Sequence, residues 1–377
     1  MPIRKSTMVP KQVSSQIRTG SAAVERWIRP EIRNLDPYHV PDAGDFIKLD
    51  AMENPYTWPD SLVDEWLDVL RDVSFNRYPD PTARKLKQRL CESFAIPGTM
   101  EVLLGNGSDE LIQLIMLAVS APGRIVLAPE PSFSMYRLIT ATAGMKYVGV
   151  PLCDNFSLDV DAMIEGIATH QPAVVFLSYP NNPSGNLFDV DAMEMIIEAS
   201  PGLVVVDEAY HAFSDATFVS RLEDHHNLLV LRTLSKMGLA GLRLGLLAGS
   251  PVWLSELNKI RLPYNINILV QVSAEFALGH QQIFDSQTRQ ICRDRDALQR
   301  VLHDLDGISV FPSHANFILF RVPAGLATEI FEAIKSRDVL IKNMHPAGGL
   351  LSDCLRVTTG RPDENLAFVE ALKAALE

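Results

Sequence analysis

The sequence has few cysteine residues and no long apolar run. Its four cysteines, Cys91, Cys153, Cys292 and Cys354, are far apart without a Cys-x-x-Cys spacing, which indicates neither a disulfide framework nor a cysteine-based metal site. No apolar run approaches the roughly 18 residues that a membrane-spanning helix needs, and the first residues lack the apolar core of a secretion signal. We therefore expect a cytoplasmic protein with reduced cysteines and no membrane partner.

Positive charge is also scarce. The 34 lysine and arginine residues are outnumbered by 46 aspartate and glutamate residues, which gives a net charge of −12. This balance argues against a general nucleic-acid-binding protein, because nothing would neutralise a run of phosphates. Among the nine histidines, His225 and His226 precede a predicted strand without a third ligand, so no metal site is indicated.

What the sequence does contain is a series of apolar runs that end abruptly in polar residues. Residues 174–177, 203–206 and 228–231 are apolar, and charged or turn-forming residues follow each run. Such runs are typical of buried parallel strands, and open α/β sheets bind ligands where these strands end. The 377 residues are enough for two domains. The pattern therefore predicts an α/β protein with a ligand site at one edge of its sheet.

Lys236 lies between the last of these runs and a segment of small and aliphatic residues. A lysine kept in such surroundings would be desolvated, which disfavours the ammonium form and lowers the pKa. A neutral amine can attack an aldehyde and form a Schiff base. Taken alone, Ser235-Lys236 is more often a loop pair whose lysine reaches water, so the local pattern leaves both interpretations open.

Three motifs in order resemble the signature of fold-type I aminotransferases, which use pyridoxal 5'-phosphate. They are Asn182-Pro183-Ser184-Gly185, then Asp207 with Tyr210 three residues later, then Ser235-Lys236 followed by Arg243. Further segments, around Tyr38 and in Asn76-Arg77-Tyr78-Pro79, are similar to the histidinol-phosphate aminotransferase family. The resemblance covers about residues 27–370. It implies a large domain with a mostly parallel mixed sheet and a small α+β domain.

The expected domain organisation follows from this resemblance and from the composition. Residues 1–25 show no apolar periodicity and are expected to be a mobile extension. Residues 26–55 correspond to an N-terminal arm, residues 56–265 to the large cofactor-binding domain, and residues 266–377 to the small C-terminal domain.

The resemblance assigns the cofactor ring to residues at the strand ends. Lys236 would hold the cofactor and then act as general base and acid. Asp207 would keep the pyridine nitrogen protonated, as the cofactor's electron-sink chemistry requires. Tyr210 and Asn182 would donate to the ring's 3-oxygen, and Phe133 would stack on the ring.

A second group of residues would bind the cofactor phosphate. By pattern alone, Gly107-Ser108-Asp109 is the start of a well-capped helix, and free backbone N–H groups there suit an anion. The resemblance makes these three residues the phosphate cup, with backbone contacts alone at Asp109, and adds Ser235 and Arg243. Arg243 follows Lys236 by seven residues (243 − 236), one fewer than in many members of the superfamily.

The remaining expectations concern the substrate and a second subunit. Arg356, on an apolar predicted strand, matches the arginine that binds a substrate carboxylate; a surface arginine on an edge strand is the alternative. Lys342 matches a position for a second substrate anion, and Asn182 also faces the substrate. Tyr38 matches a tyrosine that closes over the substrate, or else anchors the arm. Tyr78 would reach the neighbouring active site of a homodimer; from the pattern alone it marks a rigid turn.

The implied reaction is reversible transfer of an amino group in histidine biosynthesis. L-Histidinol phosphate and 2-oxoglutarate would give imidazole acetol phosphate and L-glutamate. An aromatic or broad-range aminotransferase would share every cofactor-binding residue, and a phospho-amino-acid decarboxylase would not require 2-oxoglutarate. A catalytically idle binding protein on this fold is expected to have lost Lys236, Asp207 or Arg243, and all three are present.

Overall fold

The structure, a computed structural model, describes residues 23–37 and 41–377. Two short helices, α1 (residues 23–27) and α2 (Pro30–Arg33), belong to a first unit that ends at Pro41, and residues 42–377 form a second compact unit. The predicted mobile extension falls outside the described residues, apart from residues 23–25, which are helical. Within the described ranges, no helix has both the length and the apolar character that a membrane crossing needs.

A seven-stranded sheet is the centre of the second unit. Its strands are β2 (Glu101–Asn106), β3 (Ile125–Glu130), β4 (Lys146–Pro151), β5 (Val174–Ser178), β6 (Leu203–Asp207), β7 (Leu228–Thr233) and β8 (Leu244–Gly249). They lie in the order β2-β8-β7-β6-β5-β3-β4, and β8 runs antiparallel to both of its neighbours while the other pairs are parallel. This topology confirms the prediction of a mixed, mostly parallel sheet.

Helices cover both faces of this sheet because its central strands are apolar on both sides. Along β6, Val204 and Val206 face one core whereas Leu203 and Val205 face another, as the two-residue period of a strand requires. The covering helices are α3 (Asp60–Arg71), α4 (Arg84–Ser93), α5 (Ser108–Val119), α6 (Met135–Thr142), α7 (Val160–His170), α8 (Val190–Ala199), α9 (Pro251–Asn258) and α10 (Ile268–Gly279). A parallel sheet covered in this way leaves its strand ends as the place for a site.

In helix α4, the spacing of the apolar residues predicts which side chains pack in the core. Its spacing of Leu86, Leu90 and Phe94 predicts one buried face, and all three side chains are buried in the core. Val270 and Ala274 of α10 lie in this same core. The domain boundaries expected from the sequence, including the one between residues 265 and 266, stay a prediction.

A smaller antiparallel sheet follows in the chain. Its strands are β9 (Ser309–Val310), β10 (Phe317–Arg321), β12 (Lys342–Asn343) and β13 (Cys354–Thr358), in the order β12-β13-β10-β9. Helices α11 (Gln281–His303), α12 (Ala327–Lys335) and α13 (Pro362–Leu376) accompany it. Strand β1 (Ile47–Lys48) pairs in parallel with β11 (Val339–Leu340), so the segment after β1 starts beside this part of the chain.

Candidate active site

A cavity lies at the carboxyl ends of β5, β6 and β7, where an open α/β sheet is expected to bind a ligand. It is lined by Met52, Ser108, Asp109, Phe133, Ser178, Asn182, Asp207, Ala209, Tyr210, Thr233, Ser235, Lys236 and Arg243. These positions come from separate elements, yet most of them were singled out in the sequence. The strand ends thus bring the three sequence motifs into one cavity.

Lys236 lies in the helical turn Ser235–Leu239 that follows β7. Burial and, next, the positive charge of Arg356 lower the pKa of its amine to about 8, while the negative charge of Glu53 opposes the change. Nζ donates a hydrogen bond to the backbone oxygen of Ala51 at 3.3 Å. Because the pKa is well below that of an exposed lysine, part of the amine is neutral near pH 7 and can act as a nucleophile.

Asp207 ends β6 and is 2% exposed. Burial raises the pKa of its carboxyl group to about 6, and the negative charges of Asp109 and Glu208 act in the same direction. Two hydrogen bonds oppose this rise: the Tyr136 hydroxyl donates to Oδ2 at 2.6 Å, and the Ala209 backbone N–H donates to Oδ1 at 3.1 Å. The carboxylate is therefore held in a defined orientation at the floor of the cavity.

Asn182, Tyr210 and Arg356 form a buried hydrogen-bonded chain. The Asn182 side-chain amide donates to the Tyr210 hydroxyl at 3.1 Å, and Arg356 Nη1 donates to Asn182 Oδ1 at 2.6 Å. Arg356 is 7% exposed and lies on β13, which has neighbours on both sides. The structure therefore excludes the alternative of a surface arginine on an edge strand.

Ser108, Ser235 and Arg243 gather at one end of the cavity. Helix α5 begins at Ser108, directly after Gly107, whose φ of 83° favours glycine. Arg243 has a φ of 49°, and its Nη1 donates to Ser235 Oγ at 3.4 Å. A Cβ atom at Gly107 would lie 2.8 Å from Arg243 Nη2, so glycine at this position leaves room for the guanidinium beside the helix start. The result is a set of donors around a helix N-terminus, which suits an anion.

Asp109 lies beside this anion-binding end. Burial raises the pKa of its carboxyl group, and Arg243 Nη2 lies 3.9 Å from its Oδ2. Its buried Oδ1 has no hydrogen-bond partner among the described residues. The side chain thus faces Arg243, whereas the sequence led us to expect backbone contacts alone at this position; that expectation stays a prediction.

Tyr136 is the site residue that the sequence did not single out. It stacks on Phe176 of β5, with ring centroids 4.5 Å apart, and meets Phe133 edge-to-face at 5.5 Å. Phe133 lies just before α6, and the Tyr136 backbone N–H donates to the Phe133 carbonyl at 3.1 Å, so the position of Tyr136 three residues after Phe133 was a usable signal. Its contact with Asp207, however, depends on how α6 packs against β6.

The bridging segment, residues 49–54, supplies backbone acceptors that the sequence did not predict, although its end at Asn54-Pro55 resembles the family's entry loop. Asp50 O accepts a hydrogen bond from Arg356 Nη2 at 3.1 Å, and the next carbonyl, Ala51 O, accepts the one from Lys236. Asn54 Nδ2 donates to Met237 O at 3.3 Å and to Gln287 Oε1 at 3.0 Å. The Asn54 side chain thus fixes the segment against the turn that carries Lys236. Backbone acceptors have no sequence signature, which is why this arrangement could not be predicted.

Among the described residues, four that the sequence predicted for the site are not among those that line the cavity: Gly107, Tyr78, Lys342 and Arg356. Tyr78 is 80% exposed and stacks on Tyr264 with centroids 4.4 Å apart. Lys342 lies opposite Arg356 in the register of β12 and β13, so the two side chains share one face of the small sheet. Tyr38 lies outside the described residues.

Comparison with known proteins identifies close relatives of this chain. The profile of the family described as "Aminotransferase class I and II" matches residues 44–372. A histidinol-phosphate aminotransferase 2 from Nitrosococcus oceani is 62% identical over 351 residues, which is 93% of this chain and 98% of that protein. One from Cupriavidus pinatubonensis is 49% identical over 359 residues, covering 94% of this chain and 98% of that protein.

Among solved structures, one similar fold is a histidinol-phosphate aminotransferase from Sinorhizobium meliloti in complex with pyridoxal 5'-phosphate. The TM-score is 0.84 with 24% sequence identity, and the match covers 93% of this chain and 97% of that one. At this identity the likeness establishes the fold.

Proposed function

Since the chain belongs to the class I and II aminotransferase family, we propose that it transfers an amino group from L-histidinol phosphate to 2-oxoglutarate. The products are imidazole acetol phosphate and L-glutamate, and the reaction is a step of histidine biosynthesis. The observation that carries the proposal is one cavity that contains a lysine of lowered pKa, a buried acid and an anion-binding end. Similarity over nearly the whole length to proteins named histidinol-phosphate aminotransferase supports the choice of substrate.

The residues of this cavity fit pyridoxal 5'-phosphate. Ser108, Ser235 and Arg243 present donors for a phosphate at one end, where Arg243 donates to Ser235 and approaches Gly107 at the start of α5. Asp207 lies at the floor, where its carboxylate would hold the proton of the ring nitrogen, and Phe133 offers an aromatic face beside it. When bound, the cofactor supplies an electron sink for the bond that breaks at the substrate's α-carbon.

Lys236 has two roles in this scheme. Its neutral amine would hold the cofactor through the aldehyde, and the depressed pKa makes that attack possible near neutral pH. Once the substrate takes its place, Lys236 Nζ removes the proton from the substrate's α-carbon and later returns one, as general base and acid. Tyr210 and Asn182, joined by their hydrogen bond, would donate to the ring's 3-oxygen.

Arg356 and Lys342 would bind the anionic groups of the substrates. They lie opposite each other on neighbouring strands, so two cations are present on one face of the small sheet. Arg356 is in hydrogen-bond contact with Asn182, which places its guanidinium next to the cavity and suits a substrate carboxylate. We assign the second anion, the phosphate of histidinol phosphate, to Lys342. Tyr38 stays a prediction for closure over the substrate.

We also propose a homodimer in which Tyr78 reaches the neighbouring site. Tyr264, which stacks on it, is exposed, as are the large apolar side chains of Phe75, three residues before Tyr78, and Leu262, two residues before Tyr264. A second copy that covers this surface would remove it from water and would bring Tyr78 near a cofactor phosphate. Sedimentation of the purified protein tests the assembly, and a monomer that is fully active would contradict it. The cytoplasmic location expected from the sequence likewise stays a prediction.

One competition experiment tests the reaction against its alternatives. Purified protein is mixed with 2-oxoglutarate and with histidinol phosphate, phenylalanine or tyrosine, and glutamate formation is followed. We expect histidinol phosphate to give the highest kcat/KM. A preference for phenylalanine would instead favour an aromatic aminotransferase. Release of carbon dioxide from a phosphorylated amino acid without 2-oxoglutarate would favour a decarboxylase, and Lys236→Ala is the inactive control for both assays.

A further inference from the structure

We propose that Tyr136 is a positioning residue for the cofactor site: its hydroxyl fixes one oxygen of Asp207 and leaves the carboxylate charged and aimed into the cavity. The inference rests on the proposed function, because Asp207 is the group that would hold the ring nitrogen. It goes further in giving a role to a side chain that does not itself line the cavity.

The hydrogen bond itself is the first support. The Tyr136 hydroxyl donates to Asp207 Oδ2 at 2.6 Å, and both residues are buried. Such a short O–H···O distance is typical of a charge-assisted bond to a carboxylate. The Ala209 backbone N–H binds the other oxygen. Because each oxygen has its own donor, the plane of the carboxylate is fixed.

The ring of Tyr136 is itself immobilised. It is stacked on Phe176 at an interplanar angle of 20°, and Phe133 meets it at 87°. Thr140 Oγ1 donates to its backbone oxygen at 2.6 Å, one turn along α6. The turn that leads into α6 therefore carries Phe133, which would stack on the cofactor ring, and the first turn of α6 carries the phenol that orients the acid beneath it.

The charges around Asp207 explain why a neutral donor is useful. Asp109 on α5 and Glu208 at the next position are negative, and Lys236 and Arg243 lie across the cavity. Within the described residues, no lysine or arginine forms a salt bridge with Asp207. A phenol stabilises the carboxylate without cancelling its charge, so the full charge is left for a cationic ring nitrogen.

Tyr136→Phe tests this role because it removes the hydroxyl and keeps the ring. Titration of the cofactor-free protein with pyridoxal 5'-phosphate, followed by fluorescence, should give a Kd about tenfold to a hundredfold higher than in the unaltered protein. The ratio of the two Kd values should grow as the pH falls from 8 to 6, because without the phenol more of Asp207 is protonated. Tyr147→Phe is the matched control: it removes a phenol that packs against the same core and has no hydrogen bond to Asp207, and its Kd should not change.

A second measurement does not depend on the cofactor. The carboxyl carbon of Asp207, assigned with Asp207→Asn, reports its pKa by NMR in the cofactor-free protein. We expect Tyr136→Phe to raise this pKa above its value of about 6 and Tyr147→Phe to leave it unchanged. If Tyr136→Phe does not fold, Tyr136→3-fluorotyrosine tests the same bond in the opposite direction, since a more acidic phenol should lower the pKa of Asp207.

Two outcomes would overturn the proposal: a Kd within twofold of the unaltered protein at both pH values, or an unchanged pKa of Asp207. Neither measurement involves an amino donor. An error in the proposed substrate would therefore leave both results intact, and the two failures are distinguishable.

Discussion

Two neighbouring acids, Asp207 and Glu208, lie at the carboxyl end of β6 and face opposite sides. Both are buried, but they differ in the groups that stabilise their charges. Glu208 is paired with Arg232, whose Nη2 lies 2.8 Å from Glu208 Oε2, and it also accepts hydrogen bonds from the Thr217 hydroxyl and the Phe218 backbone N–H. Asp207, on the cavity side, receives its hydrogen bonds from a phenol and a backbone N–H, both neutral. The charge of Glu208 is balanced within the protein, whereas that of Asp207 remains for a ligand.

The Glu208 side of the strand end therefore has a structural role, whereas the Asp207 side faces the cavity where the reaction would take place. The Glu208–Arg232 pair ties the segment after β6, which carries Tyr210, to β7, which precedes Lys236. His211 lies on the same side, where burial and then the charge of Arg232 lower its pKa to about 3, so its ring is neutral at ordinary pH. On this far side, which carries Glu208, Arg232 and His211, the histidine is therefore uncharged near neutral pH. The cavity side instead keeps Asp207 and Lys236, whose pKa values of about 6 and about 8 lie close to neutral pH.

The largest effect is expected on the cavity side. Lys236→Ala removes both the group that holds the cofactor and the base, and should lower kcat/KM about ten-thousandfold. Borohydride should no longer fix the cofactor to the protein, while the unfolding temperature without cofactor stays at or above that of the unaltered protein. If borohydride still attached the cofactor to the peptide that contains position 236 in this variant, the assignment would be contradicted.

A substitution on the far side should mainly change the stability of the protein and not its activity. Glu208→Gln leaves Arg232 buried without its counter-ion and should lower the free energy of unfolding by about 3–5 kcal/mol. Activity per folded molecule should fall only a few-fold, as measured by kcat after correction for the folded fraction in denaturant titrations. A large loss of kcat with unchanged stability would mean that the two sides are not separate.

Asp207→Asn should have the opposite effect, with a large loss of activity and no loss of stability. It removes the charge that would hold the ring nitrogen, and activity should fall about a hundredfold. The folded-state pKa of Asp207, about 6, is above its unfolded value of 3.8, so its ionisation destabilises the folded protein increasingly as the pH rises from about 4 to 6. The cofactor-free variant should therefore be at least as stable as the unaltered protein at pH 7 in thermal unfolding, and a clear loss of stability there would contradict this account.

The lowered pKa of Lys236 predicts that the stability of the cavity side depends on pH in the alkaline range. It is lowered from 10.5 to about 8, so between these values the unfolded chain binds more protons than the folded one. The free energy of unfolding of the cofactor-free protein should then gain a contribution that rises with pH from about 8 to 10.5. Lys236→Met should remove this contribution, and urea titrations of both proteins across that range measure the difference.

The smallest effect is expected at an exposed salt bridge. Lys259 Nζ lies 2.6 Å from Glu256 Oε1, and both side chains are more than half exposed. Glu256→Gln should change the free energy of unfolding by less than about 0.5 kcal/mol, because water already solvates both charges. A cost as large as that of Glu208→Gln would show that burial is not what makes the Glu208–Arg232 pair matter.

The sequence predicts which residues form the site better than it predicts the contacts that hold them in place. Asp207 stands out because an apolar run ends directly before it, and Lys236 because it lies between an apolar run and a segment of small and aliphatic residues. The order of the motifs brings in Asn182 and Tyr210, and the family resemblance adds Arg356. The Glu208–Arg232 pair joins residues 24 positions apart, and its partners follow only from the parallel register of β6 and β7. Tyr136 meets Asp207 across 71 positions for a similar reason. Such contacts are set by packing, which no local pattern encodes.

The bridging segment has one more consequence. Two consecutive peptide oxygens, those of Asp50 and Ala51, receive the guanidinium of Arg356 and the amine of Lys236. Neither acceptor is a side chain, so no point substitution deletes it, and the two planar peptide units meet at the Cα atom of Ala51, so a displacement of one shifts the point from which the other starts. Redesign of the substrate arginine would thus disturb the amine through the main chain, and engineers of specificity should vary the two positions together.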